Sequence, residues 1–188
     1  GVDLTLFKPK KLERFDRITD REIVVGWSGN SQWAAELEDF KGVHTILKPT
    51  IEELRREGLP IKSYFADRAE RMIAHHEMVN YYSEIDVYIC TSKIEGTPNP
   101  VLEAMACGVP VISTDVGIVP QAFGLAQSEF ILRERSIECL KKAIRKLMQR
   151  PQLFRELSSE NLRQVEKWDW QVKAQGFANY FNELIQKK

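Results

Sequence analysis

The stretch from Asn99 to Thr114 (NPVLEAMACGVPVIST) constrains this chain more than any other. Asn99 is a good N-cap, and Pro100 suits the first helical position, where its missing N–H costs nothing. Gly108 is a natural C-terminal cap, and Pro110 cannot continue a helix. An apolar, β-branched run follows at once. The spacing therefore predicts a helix over 99–108 packed beside a buried strand over 109–114, half of a strand–helix–strand unit.

Further strands are expected at 22–27, 60–66, 86–92 and 128–132. Helical spacing marks 43–57, with Pro49 as a kink or break and Gly58 as the stop. It also marks 76–85, 137–150, a segment opening at Pro151, and 170–186. Alternating strands and helices predict an α/β domain: a Rossmann-like, doubly wound parallel sheet followed by C-terminal helices. Residues 1–20 read as a linker or domain start, 21–167 as the Rossmann-like domain and 168–188 as a C-terminal helix. The opening GVDLTLFKPKK has no clear period and does not begin with Met, so the chain reads as cut from something longer, or processed.

Composition narrows the function. Lys plus Arg number 27 and Asp plus Glu number 27 in 188 residues, so no net field favours nucleic acid or an anionic membrane. The apolar run around 100–112 is broken by Glu103 and is too short to span a bilayer. No basic segment followed by an apolar one opens this sequence, so a secretion signal is not expected in it. Cys90, Cys107 and Cys139 form no CxxC and have no zinc-type spacing, so they are expected as free thiols packed among apolar residues.

In doubly wound sheets ligands bind at the carboxyl ends of the strands, which singles out the loops 27–42, 92–99 and 114–121. Helical side chains lean toward the N-terminus. Glu103, one turn into its helix, thus points back over the helix mouth, and Glu95 lies on the loop that feeds it. Glu103 is the only charged residue from Pro100 to Ile112. A carboxylate among apolar neighbours is costly unless satisfied, and a ribose diol would supply two hydroxyl donors. The helix entry adds free N–H groups and a positive dipole end for phosphate. Lys41 can reach a phosphate as a point charge, and Ser28 and the Gly29 backbone can add hydrogen bonds. The turn at Asp115–Pro120, with Gly117, borders the same place. The Trp and Tyr residues near the C-terminus are expected in the core.

The segment EGTPNPVLE, Glu95 to Glu103, followed by AMACGVPVIS, resembles the Glu-x7-Glu motif of family 4 glycosyltransferases, which are retaining enzymes of the GT-B fold. Weaker similarities lie in the opening GVDLTLF-KP, Lys41-Gly42, HEMVNYYSEIDVYICTS and Trp168-Asp169-Trp170. The resemblance implies the C-terminal, donor-binding half of an enzyme that transfers a hexose from a nucleoside-diphosphate sugar. Glu95 would be the catalytic residue, contacting donor-sugar hydroxyls and stabilising oxocarbenium character. Glu103 would hold the ribose. Amides of Gly96, Thr97 and Asn99 would reach the sugar or diphosphate, and Ile73 to His75 would line the nucleobase pocket.

No cofactor or metal is expected beyond the donor substrate itself, since helix dipoles and Lys41 take the place of a divalent ion. The acceptor would bind an N-terminal domain of the same full-length protein, so this chain alone would transfer little or nothing. A cytoplasmic location is implied, with peripheral membrane association at the inner face through that domain as the variant. Two departures from the family pattern stand out. Thr97-Pro98 replaces the common Phe-Gly, and the usual Arg before the lysine is missing from a longer loop. A nucleotide-sugar epimerase half and a non-catalytic nucleotide-binding module are the competing readings.

Overall fold

The computed structural model describes residues 1–186; the last two positions of the expected C-terminal helix, 187 and 188, lie outside the described residues. Five parallel strands form one sheet: β1 (Ile23–Gly29), β2 (Ile61–Asp67), β3 (Val87–Cys90), β4 (Val111–Thr114) and β5 (Ile131–Leu132), in the order β2-β1-β3-β4-β5. The expected doubly wound α/β architecture is therefore what the chain adopts.

Period-two alternation explains why both faces are covered. Val25 and Trp27 of β1, Val87 and Ile89 of β3 and Ile112 of β4 face one cluster. Helices α1 (Lys48–Arg56), α6 (Ile137–Gln149) and α7 (Gln152–Val165) complete it through Leu54, Ile144, Leu147 and Phe154. Val24, Tyr88, Cys90 and Val111 face the other cluster, closed by Tyr82 and Ile85 around α2 (Met78–Ser83) and by Leu102 and Met105 of α3 (Asn99–Ala106). Leu102 and Met105 are fully buried. At about 25 cal/mol per Å², each side chain of this size contributes roughly 1.5–3 kcal/mol by leaving water.

Several local expectations are corrected. Asn99 is not a side-chain cap: the helix opens after Pro98, whose non-helical ψ of 84° lets its carbonyl accept from Val101 N at 2.9 Å. At Pro49 the break takes the form of a change of helix type. A wider turn, Val43–Leu47, closes through Leu47 N to Gly42 O at 2.8 Å and runs into α1, where proline has no N–H to give. Residues 125–128 form a short helix, α5 (Leu125–Ser128), after α4 (Val119–Ala122), so β5 is shorter than expected. The opening segment is anchored, with Val2, Phe7, Phe15 and Ile18 buried. Val2 bonds across to Trp168 O and Trp170 N at 2.8 and 3.0 Å. In α8 (Trp170–Gln186), Trp170, Phe177, Tyr180 and Phe181 are exposed, contrary to the core placement expected of the C-terminal Trp and Tyr residues.

The end of α3 follows the sequence reading. Gly108, at φ 71°, takes the left-handed conformation that lets Gly108 N reach Met105 O and Val109 N reach Ala104 O, both at 2.9 Å. Cys90, Cys107 and Cys139 are all free; the first two are buried and Cys139 is half-buried. Among the described residues no helix is long and apolar enough to cross a membrane.

Candidate active site

In the order β2-β1-β3, the connections leaving β1 and β3 depart to opposite faces of the sheet, which opens a crevice at the carboxyl ends of these strands. A cavity of about 490 Å³ occupies that place. Its lining includes Ser28 and Gly29 from the end of β1, Lys41, Ile73 and His75 from loops, and Glu95, Thr97, Asn99 and Glu103 from the entry to α3. Nine of the ten residues singled out from the sequence thus meet at one cavity. Gly96, the tenth, lies on the same loop but does not line the cavity.

Glu103 is almost wholly buried. Its Oε2 accepts the Tyr82 hydroxyl at 2.8 Å, while its Oε1 lies 4.0 Å from His75 Nδ1. Burial pushes its pKa up, against the lowering influence of the Tyr82 bond and of His75 and Arg68. One carboxylate oxygen is therefore held by protein. Ser28 belongs to the same network: its Oγ lies 3.4 Å from the hydroxyls of both Tyr82 and Tyr88, and its carbonyl accepts from the Tyr88 hydroxyl at 3.3 Å. Its hydroxyl is thus turned toward Tyr82 and toward Tyr88, which itself lines the cavity.

Glu95 is paired with Lys41, Nζ to Oε1 at 2.7 Å, both partly shielded from solvent. The backbone at Lys41 is fixed from β3, since the Thr91 hydroxyl donates to Lys41 O at 2.8 Å. Asp39 organises the turn beyond it by accepting Val43, His44 and Thr45 N–H at 3.2, 2.8 and 2.8 Å. Burial alone would raise the Asp39 pKa; these bonds together outweigh it and lower it. Those three amides are consequently committed within the protein. At the entry to α3 the situation is reversed. Among the described residues no acceptor is paired with the N–H of Gly96, Thr97 or Asn99, and all three residues are exposed. Pro98 and Pro100 have none to offer.

The loop carrying Glu95 is propped from below. Ile118 N donates to Gly96 O at 3.1 Å, and Gly117, at φ 51°, passes so close that a Cβ there would stand 2.0 Å from Gly96 O. This is how the Asp115–Pro120 turn borders the site.

A second, larger cleft of about 990 Å³ lies at the amino-terminal ends of β1 and β2, lined by Lys11, Arg14, Arg17, Arg21, Lys62 and acidic partners. Its charges are largely satisfied by one another: Lys11 pairs with Glu84, Arg17 with Asp20 and Arg21 with Asp86. It is also at the wrong end of the sheet for ligand binding in this fold class. The smaller cavity is the functional candidate. Trp33, Arg68 and Cys90 also line it, and none was singled out in the sequence as a site residue.

A doubly wound parallel sheet, with unpaired helix-entry amides and two acidic residues beside its switch point, defines the class of α/β domain whose ligand crevice lies at the carboxyl ends of the strands. The family described as "Glycosyl transferases group 1" matches residues 70–164, about half the chain, and the chain belongs to that family. TuaC of Bacillus subtilis, named as a teichuronic acid biosynthesis glycosyltransferase, is 38% identical over 72 residues, covering 38% of this chain and 18% of TuaC. The MMP alpha-(1->4)-mannosyltransferase of Mycolicibacterium hassiacum is 24% identical over 195 residues, covering 96% of this chain and 46% of the relative. The C-terminal domain of the group 1 glycosyltransferase LpcC from Francisella tularensis superposes with a TM-score of 0.70 at 17% identity, covering 90% of this chain and 100% of that domain. Anabaena HepE in complex with UDP-glucose superposes with a TM-score of 0.67 at 18% identity, covering 97% of this chain and 56% of HepE. The fold is that of the C-terminal half of GT-B glycosyltransferases, and the chain spans half or less of the curated relatives it matches.

Proposed function

We propose that this chain is the donor-binding half of a retaining, family 4 glycosyltransferase that transfers a hexose from a nucleoside-diphosphate sugar. The observation that carries this is the joint placement of Glu95 and Glu103 in one cavity beneath the unpaired N–H groups at the entry to α3. As the donor's glycosyl bond breaks, the sugar becomes cationic and the diphosphate gains negative charge. The Lys41–Glu95 pair, 2.7 Å apart, sets a fixed charge of the right sign near each. Two unit charges 4 Å apart interact by about 4 kcal/mol at an effective dielectric of 20, enough to matter to a rate. Lys41 and the amides of Gly96, Thr97 and Asn99 serve the diphosphate, and Glu95 serves the sugar. Glu103 accepts from the ribose through the oxygen that Tyr82 leaves free, and Ile73 with His75 borders the base. No metal enters this scheme, and the acceptor is held by a further part of a longer protein.

A thermal-shift screen of the chain against UDP, GDP, ADP and their hexose conjugates tests the reading. At about ten times Kd, a ligand specific for the folded state adds roughly 1.4 kcal/mol, or about 3–5 °C for a chain of this size. One nucleotide and its sugar conjugate are expected to stabilise the wild type and to lose that effect in Glu103→Ala. No shift with any member of the panel would overturn the proposal.

A further inference from the structure

We propose that Trp33 is the platform on which the donor's hexose ring stacks; this rests on the donor-site reading above. Trp33 lies on the long loop between β1 and Lys41 and lines the cavity, yet it is 56% exposed. Its ring is held from one side: Phe40 meets it edge-on with centroids 5.8 Å apart. Phe40 is itself tied to the stretch after β3 by Lys93 N donating to Phe40 O at 2.8 Å. Lys41 Nζ sits 5.4 Å from the indole centroid and also bonds Glu95. Indole, ammonium and carboxylate are thus consecutive neighbours along one wall.

The adjacent backbone is strained. Ala34 has φ 54°, a left-handed conformation that an L-residue with a Cβ adopts at a cost. An exposed indole beside a strained residue gains little from the protein's own packing, which directs attention to what the cavity receives. A hexopyranose matches it. One face of the ring presents C–H groups, which are apolar and slightly positive, to the negative face of the indole. The hydroxyls at its rim stay free for Glu95. The position beside Lys41, the diphosphate's cation in the scheme above, selects the sugar over the base, which lies toward Ile73 and His75.

Calorimetric titration of wild type, Trp33→Ala and Trp33→Phe with UDP against UDP-glucose, and with GDP against GDP-mannose, tests this. In Trp33→Ala the affinity for the nucleoside diphosphate is expected to stay within about threefold of wild type. The affinity for the sugar conjugate is expected to fall about tenfold. Trp33→Phe keeps a flat ring and should recover most of the loss. Equal weakening for both ligands would mean that the ring only steadies Lys41, and no change for either would mean that it is idle; both results overturn the inference while the donor site stands. Wild type that binds none of the four ligands, and neither ADP nor ADP-glucose, overturns the donor-site reading and this inference together.

Discussion

Replacing Gly117 by alanine should disable the site from beneath, without altering any side chain that faces the ligand. A Cβ at this position would stand 2.0 Å from Gly96 O, 2.7 Å from the Gly96 carbonyl carbon and 2.8 Å from Glu95 O. These are backbone atoms that cannot swing aside, and the Gly96 carbonyl is also held by Ile118 N. The left-handed φ of 51° adds roughly 1 kcal/mol for any residue with a Cβ. Relieving the overlap by moving a packed backbone costs about 1–3 kcal/mol more. The sum, about 2–4 kcal/mol, corresponds to a fall in Tm of roughly 5–15 °C for a chain of this length. The Glu95–Gly96 loop must shift by about 1 Å, a displacement large enough to weaken donor binding at least tenfold. Differential scanning calorimetry and nucleotide titration on Gly117→Ala would measure both. Gly176→Ala is the control, because nothing lies within 4 Å of a Cβ there and the helix gains from alanine. If Gly117→Ala melts within about 1 °C of wild type and binds donor equally well, the reasoning about the prop is wrong.

In the longer protein proposed above, Glu95→Gln should lower the transfer rate by about 10²–10³-fold while leaving this chain's Tm nearly unchanged, since its pair with Lys41 is partly solvated and contributes little to folding. Activity within threefold of wild type would exclude the role given to Glu95. For Glu103, burial raises the folded pKa above the ordinary 4.5, so the folded state holds its proton more tightly than the unfolded chain. The associated stability is complete below that ordinary value and is lost as pH rises through the raised one. Glu103→Gln, which can still accept from Tyr82, should therefore gain Tm relative to wild type as pH climbs from 4 to 8 while losing donor affinity; a difference that is flat with pH would contradict this. Asp86→Ala should cost about 3–5 kcal/mol in chemical denaturation, because the fully buried carboxylate accepts Arg21 twice at 2.7 Å and Val24 N at 2.8 Å. It also faces Arg14 Nε at 3.5 Å, a buried nitrogen with no hydrogen-bond partner of its own. A loss under 1 kcal/mol would show that neighbouring groups replace it.

Much of the frame could be read from the sequence because it is specified locally. Apolar runs of strand length separated by Pro and Gly located β1 to β4, and Gly108 with Pro110 located the end of α3. Glu103 was legible because a helix fixes side-chain direction from spacing alone, and Glu95 because it stands on the loop that feeds that helix. What escaped depends on contacts between distant parts of the chain. Tyr82 reaches Glu103 across 21 residues, and Ser28 meets Tyr82 and Tyr88 across 54 and 60. The one available signal was Tyr81-Tyr82 on a face otherwise bound for the core, since a buried phenol needs an acceptor. Asn99 misled because its residue type suits an N-cap, whereas the ψ of Pro98 decides where the helix opens. The aromatic residues of α8 misled for a related reason: periodicity shows that a helix has an apolar stripe but does not show what covers it. Trp33 lies in a loop with no period at all.

The most direct measurement is an amide NMR titration of the labelled chain with the nucleotide sugar that binds it. The account requires the largest shifts at the N–H groups of Gly96, Thr97 and Asn99 and at the Trp33 indole, with the cleft around Arg21, Lys62 and Glu84 silent. Shifts gathered in that cleft, with the entry to α3 unmoved, would place the ligand at the other end of the sheet and contradict it.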